Sequence, residues 1–230
     1  MLAETLPRRG IPVTLFTAKQ LARRQLALTP ESLVAGSIDS VRSALKQLKI
    51  PLPEPHDYPD CLRPYLHRRV WTSTLGAELD RAADGAAPRF LKPAGHTKRF
   101  TGFVLESTAD FWQAVGVSRS LPVCCSEVVA WRSEWRVFVL DGMVLDIRHY
   151  AGDSTALPER SVMEQAIATL TASKTHVRAY AIDFGVLATG QTALVEVNDG
   201  FSLGSYGLAP ALYTDLTIAR WEELLEASEA

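Results

Sequence analysis

The stretch AYAIDFGVLATGQTALVEVNDGFSLGSYG, residues 179–207, decides the fold. Two apolar runs flank ATGQ (188–191), a turn signal, so the segment reads as an antiparallel hairpin. Side chains on a strand alternate faces. Leu194, Glu196 and Asn198 therefore share one face, and Ala193, Val195 and Val197 share the other. A loop centred on ATGQ sets Leu187 opposite Thr192, which is equivalent to Asp183 opposite Glu196. That register also puts Tyr180, Ile182 and Phe184 on the face of Val195 and Val197, so the apolar pattern selects it. Two carboxylates directly opposite lie ~5 Å apart. At an effective dielectric of ~20 their repulsion is ~3 kcal/mol. A shared proton, an arginine or a divalent cation can offset it. Asn198 adds a neutral oxygen, and two carboxylates plus an amide oxygen suit Mg²⁺. The same spacing also fits an exposed polar sheet face or a salt bridge.

The next residues, GFSLG (200–204), have the form G-x-S-x-G of a serine nucleophile. That motif needs a strand, a sharp turn and then a helix, with an acid and then a histidine downstream. Glycines and Pro210 disfavour a helix directly after Ser202, and the last histidine of the chain is His176. A serine hydrolase is not supported.

Working outward, SEWRVFVL (133–140) and MVLDIRHY (143–150) form a second hairpin turning at Asp141-Gly142. Trp135, Val137 and Val139 make one apolar stripe; Met143, Leu145 and Ile147 make another. Burying both on one side requires an odd loop, for example Leu140-Asp141-Gly142. The opposite face then collects Glu134, Arg136, Asp146 and Arg148. Two arginines on rigid strands can clamp phosphate or carboxylate, although the two acids beside them also fit a self-neutralised solvent face.

Further upstream, RFLKPAG (89–95) reads as a strand, FTGFVLES (100–107) as its return and LPVCCSEVVAW (121–131) as another strand. Lys92 lies on the first, and Lys98 lies in a glycine-containing loop between the two. Such a loop can cover phosphates, or simply be an exposed hairpin. No Walker A or GxGxxG motif occurs. Helical spacing is expected over 107–115, 158–173 and 213–227. The beginning of the chain reads as strand 11–16, helix 17–27, strand 31–37 and helix 38–48. The proline-rich segment 51–59 reads as a linker, and 61–80 as broadly helical with a break near Pro64.

Composition narrows the class. A chain of 230 residues at net charge −2 has no global field for nucleic acid or an anionic membrane. No apolar run approaches the ~18 residues of a membrane helix, and no signal peptide is read, so the expected location is cytoplasmic. Cys61, Cys124 and Cys125 form neither a disulfide framework nor a zinc spacing.

FLKPAG, the loop through Lys98, SEVV (126–129), EWRVFV, IDFGV and VEVNDG follow one another in an order that resembles ATP-grasp enzymes. The clade named for two arginines and one lysine is the most similar; GSIDSV (36–41) and DYPDCL (57–62) also look like it. The resemblance covers roughly residues 30–210. It implies an α+β (α/β) ATP-grasp fold of two lobes with antiparallel sheets, preceded by a short α/β pre-grasp region. The expected division is 1–70 for that region, 71–128 for the N-terminal lobe and 129–230 for the C-terminal lobe. It further implies ATP and Mg²⁺ as cofactors. Lys92 would contact the phosphates, Lys98 would lie in the loop over them, and Glu127 and Val128 would form the adenine hinge. Asp183, Glu196 and Asn198 would hold Mg²⁺, and Arg136 and Arg148 would meet the γ-phosphate or an acyl phosphate. The implied reaction joins a small-molecule or peptide carboxylate to an amine. A phosphotransferase and a non-catalytic nucleotide-binding module are the alternatives. Asp199-Gly200 stands where many ATP-grasp enzymes have proline and glycine, and the beginning of the chain is short; both leave the acceptor open.

Overall fold

The computed structural model describes residues 1–54, 57–95, 99–173 and 175–227. The chain divides into two compact units, one of Leu66–Trp131 and one of Met1–Tyr65 with Arg132–Ala230. Among the described residues no helix is long and apolar enough to cross a membrane.

In the larger unit the chain starts with three helices, α1 (Leu2–Arg8), α2 (Ala18–Ala22) and α3 (Ile38–Leu48). The expected helix 38–48 is present, with the Ser37 hydroxyl accepting from the Ser40 N–H at 3.3 Å as its N-cap. The strands expected over 11–16 and 31–37 are not formed. Ile11, Val13 and Leu15 are exposed, and no sheet edge pairs with them, so β-propensity alone does not make a strand there. Helix α2 is shorter than expected and ends where Arg24 turns left-handed at φ +54°.

The smaller unit carries β1 (Val70–Thr74), α4 (Leu75–Ala83), β2 (Arg89–Pro93), β3 (Phe103–Leu105) and β4 (Pro122–Glu127). Its antiparallel sheet has the order β1-β4-β2-β3. Here the broadly helical reading of 61–80 is corrected. A 3₁₀ helix at Asp60–Tyr65 precedes strand β1, and only α4 is α-helical. The run VWTST is β-branched and aromatic, and Thr74 ends it by capping α4 through its hydroxyl, which accepts from the Ala77 N–H. Leu75, Leu91, Leu105 and Val123 are fully buried between helix and sheet. The expected helix at 107–115 is a 3₁₀ helix, Thr108–Ala114, started by a Ser107–Asp110 capping box.

The remainder of the larger unit consists of β5 (Trp131–Leu140), β6 (Met143–Gly152), α5 (Arg160–Thr171), β7 (Ala179–Leu187), β8 (Thr192–Asp199) and α6 (Pro210–Glu226). Its strand order is β6-β5-β7-β8. All nine residues of β7 are buried, which explains its near-continuous apolar sequence and isolates Asp183 within it. Phe138, Ala179 and Ala181 pack with Leu216 and Ala219 of α6. Val41, Ala44 and Leu45 of α3 pack with Leu21, Trp221 and Leu224.

Both long hairpins form, but bulges change which residues share a face: Met143, expected in a buried stripe with Leu145 and Ile147, is 69% exposed. In β7–β8, Asp183 lies opposite Glu196 as the apolar pattern required. A bulge between Asp183 and Phe184 then sets Phe184 opposite Leu194 and Val186, rather than Leu187, opposite Thr192. Phe184 and Leu194 are both fully buried, so the bulge turns Leu194 into the core. In β5–β6 the loop is not odd. Asp141 and Gly142 alone form the turn, both with positive φ (+48° and +77°), as a two-residue type I′ turn requires. A bulge between Phe138 and Val139 supplies the extra residue instead, and Arg136 falls opposite Arg148.

Candidate active site

Arg136 lies on an interior strand and is 7% exposed, so the self-neutralised solvent face that its neighbours Glu134 and Asp146 also fitted is not what forms around it. Its guanidinium binds Asp183 in a two-pronged pair, Nε donating to Oδ1 at 2.8 Å and Nη2 to Oδ2 at 2.7 Å. Asp183 is 1% exposed. Removing one partner of such a buried pair costs about 3–5 kcal/mol, because the other charge is left without compensation. Asn198 Nδ2 donates to Asp183 Oδ2 at 3.2 Å. Asp183, Asn198 and Arg136 thus converge from β7, β8 and β5, with Glu196 opposite Asp183 and half-buried.

Two tyrosines and a glutamate complete the cluster. The Tyr206 ring lies 4.6 Å from the Arg136 guanidinium carbon, and Tyr150 lies at 6.0 Å. Tyr150 donates its hydroxyl proton to Glu134 Oε2 at 3.0 Å. Burial, against the opposing pull of Arg136, pushes the Asp183 carboxyl up to about 6, and the charges of Glu196 and Glu134 push in the same direction. Burial and the same three carboxylates raise the Tyr150 hydroxyl far above its ordinary value. Glu134 and Glu196 both act on Asp183 and Tyr150, so three carboxylates are clustered here, with Arg136 bound to Asp183.

The clustered carboxylates and the donor chemistry fit a divalent cation. A carboxylate offers about four lone-pair directions; Arg136 occupies two of those on Asp183 and Asn198 a third. Asn198 turns its nitrogen to Asp183, which leaves its carbonyl oxygen for a ligand. Among the described residues no three His, Cys, Asp or Glu side chains form a metal-holding group by themselves, so a cation here would draw on Asn198 and on oxygens from outside the protein.

Arg148, across the ladder from Arg136, is paired with Asp146 at 2.5 Å, while its Nε is buried without a hydrogen-bond partner. The remaining expected residues lie in the smaller unit. Lys92 is half-buried on β2, opposite Cys124. Glu127 ends β4; its carboxylate accepts from the Arg69 N–H at 2.9 Å and its carbonyl from the Ser126 hydroxyl at 3.1 Å. Val128 follows it and is exposed. Lys98 lies outside the described residues.

Ser202 is not placed as a nucleophile. It closes a 3₁₀ turn, Gly200–Ser202, and donates its hydroxyl to the Gly36 carbonyl at 2.8 Å. Gly200 serves packing: a Cβ there would stand 2.2 Å from the Ala179 carbonyl oxygen. Sequence reasoning missed Tyr150, Tyr206, Glu134 as a neighbour of Asp183, and the Asp199–Arg220 pair. Arg220 of α6 donates Nε and Nη2 to the two oxygens of Asp199, each at 2.7 Å, and holds the end of β8. An arginine among the buried residues Leu216, Trp221 and Leu224 was its signal.

The α+β architecture, with two antiparallel four-stranded sheets, is that of the ATP-grasp class. The sequence profile for the ATP-grasp domain, family 2 of the clade named for two arginines and one lysine, matches residues 65–216, and the chain belongs to that family. Among solved structures, N5-carboxyaminoimidazole synthase from Aspergillus clavatus, in complex with ADP and 5-aminoimidazole ribonucleotide, is similar at TM-score 0.54 and 14% identity, over 96% of this chain and 73% of that one. N5-carboxyaminoimidazole synthetase from Staphylococcus aureus is similar at TM-score 0.52 and 8% identity, over 80% of this chain and 57% of that one. The ATP-grasp ligase PsnB complexed with a minimal precursor gives TM-score 0.45 and 18% identity, over 72% and 57%. The chain thus spans 57% of the length of the latter two. A search of curated protein sequences gives no match.

Proposed function

We propose that this protein is an ATP- and Mg²⁺-dependent ligase that joins a carboxylate to an amine through an acyl phosphate. The observation that carries this reading is the Asp183–Glu196 pairing with Arg136 and Asn198 attached, in a chain of the ATP-grasp family. Family membership favours nucleotide as the occupant, and the clustered carboxylates with Asn198 favour its magnesium. Bound Mg²⁺–ATP supplies the phosphoryl group that activates the carboxylate. Asp183, Glu196 and Asn198 hold the cation, and the bidentate pair with Asp183 fixes the position of Arg136. Arg136 and Arg148, opposite each other on β5 and β6, offset charge on the transferring group. The free Nε of Arg148 is a donor ready for a phosphate oxygen. Lys92 and Lys98 neutralise the remaining phosphates, and Glu127 with Val128 receives the adenine. The domain reading 1–70, 71–128 and 129–230 goes with this assignment, as does a soluble, cytoplasmic setting. The carboxylate and the amine are a small molecule or a peptide.

The test is a screen of carboxylates with amines that follows ADP release, with mass spectrometry of the products. ADP, free phosphate and a new amide are expected; ADP with a stable phosphorylated product would instead make it a phosphotransferase. Glu196→Gln is expected to abolish turnover with the fold intact. Arg136→Ala leaves Asp183 buried and unpaired, so Arg136→Lys is the cleaner variant. Near-normal rates in Glu196→Gln and Arg136→Lys would refute the site.

A further inference from the structure

The loop after β8 is shaped around one side chain. Tyr206 has a left-handed backbone at φ +43°, which is uncommon for an aromatic residue and is sustained only where surrounding structure enforces it. Its ring is half exposed, yet it lies over the buried Arg136 guanidinium at 4.6 Å and against the Tyr150 ring at 5.4 Å. Gly204 makes room for it: a Cβ at that position would meet Tyr206 Cε2 at 2.8 Å. The loop is tied on both sides of the tyrosine. Tyr213 donates its hydroxyl to the Leu203 carbonyl at 2.7 Å, and the Leu208 N–H donates to the Ser205 carbonyl at 2.7 Å.

We propose that Tyr206 is a positioning residue for Arg136. Its ring forms the platform that keeps the guanidinium flat against the strands while Asp183 holds its edge, with Tyr150 beside the ring. An arginine fixed on its edge by a carboxylate can still swing about that edge. A ring on its face removes the swing and adds a cation–π attraction in a partly desolvated place. The glycine at 204 and the strained backbone at 206 are thereby explained by the path of the protein's own side chain. The proposal rests on the reading above for the role of Arg136 in turnover. Its geometric content, that the ring holds the guanidinium, stands apart from that reading.

The experiment uses the full chain, labelled with ¹⁵N-arginine, as wild type, Tyr206→Phe, Tyr206→Leu and Gly204→Ala, with Arg136→Lys to assign the Arg136 resonance. In wild type and Tyr206→Phe the Arg136 Nε–H is expected to exchange slowly with water, because the ring and not the hydroxyl matters. In Tyr206→Leu it should exchange about tenfold faster, the size of effect that loss of a desolvated cation–π contact gives. Gly204→Ala keeps the tyrosine but crowds its ring, and should show the same gain should Tyr206→Leu fail to fold. Unchanged exchange in both Tyr206→Leu and Gly204→Ala overturns the proposal. With Mg²⁺–ATP and substrates, Tyr206→Leu should lower kcat about tenfold while the KM for ATP stays within about twofold. A KM change with kcat unaltered overturns the catalytic part. A wild-type protein that turns over no ATP refutes the ligase reading, and the exchange measurement then decides the platform by itself.

Discussion

Asp183 sits in a strand whose every residue is buried, and its environment conflicts with itself. Burial and two neighbouring carboxylates favour the protonated form; Arg136 favours the charged one. With a folded pKa of about 6 against an ordinary 3.8, its contribution to stability is fully present below pH 3.8 and is lost as pH rises through about 6. Glu196→Gln removes one of the repelling charges, so Asp183 should titrate lower. The nucleotide-free variant should then melt about 1–3 °C higher than wild type at pH 7.5, with the gain vanishing near pH 4. Thermal melts at the two pH values check this; the same substitution that abolishes turnover would stabilise the protein. Cys125 gives a second prediction. Burial, then nearby Glu78, pushes its thiol up to about 12, so in the native protein it should resist a thiol-directed alkylating agent at pH 8 that labels the unfolded chain fully. Peptide mass spectrometry reads the difference. At this scale the sequence showed the carboxylate pair and Asn198, because a period of two fixes faces without knowledge of the rest of the fold. It did not show Tyr206 or Arg220, whose partners Arg136 and Asp199 are reached through a loop path and a helix rotation that no local spacing encodes.

Among elements, hairpins were legible and isolated strands were not. The β5–β6 and β7–β8 hairpins carry their pairing partner next to them in sequence, and alternation plus a turn signal placed both. Bulges escaped notice, since each adds one residue that only packing justifies, as the burial of Leu194 does for β8. The runs at 11–16 and 31–37 had β-propensity but no neighbour. VWTST was hidden within an apparent helical pattern, although its partner β4 lies about fifty residues on. The start of the turn after β8 offers a direct test of packing. Gly200→Ala places a methyl group against the Ala179 carbonyl oxygen and should destabilise by about 1–3 kcal/mol, the usual range for overpacking. Urea unfolding should show a lower midpoint with an unchanged slope.

At the scale of the whole molecule, the order of motifs along the chain carried the family, and the profile match over residues 65–216 agrees with it. The two sheets, each of four antiparallel strands, follow that order. What the sequence left open was the role of the first 65 residues, which carry helices and irregular segments among those described and pack beside α6 within the larger unit. If the nucleotide site is as proposed, ATP with Mg²⁺ should raise the melting temperature. Saturation at about 100 times Kd corresponds to about 2.7 kcal/mol. ATP without the metal should give a much smaller shift, and Asp183→Asn should abolish the difference between the two; differential scanning fluorimetry measures all three.

The larger unit is interrupted in sequence by the smaller one, and α3 completes its core only with Trp221 and Leu224 of α6. During synthesis on the ribosome, the inserted segment has its partners in hand long before the unit that surrounds it. The apolar side of α3 must wait roughly 9–35 s for its counterpart at 5–20 residues per second. Over that interval Val41, Ala44 and Leu45 are a nascent-chain hazard, and chaperone capture of arrested intermediates should concentrate there.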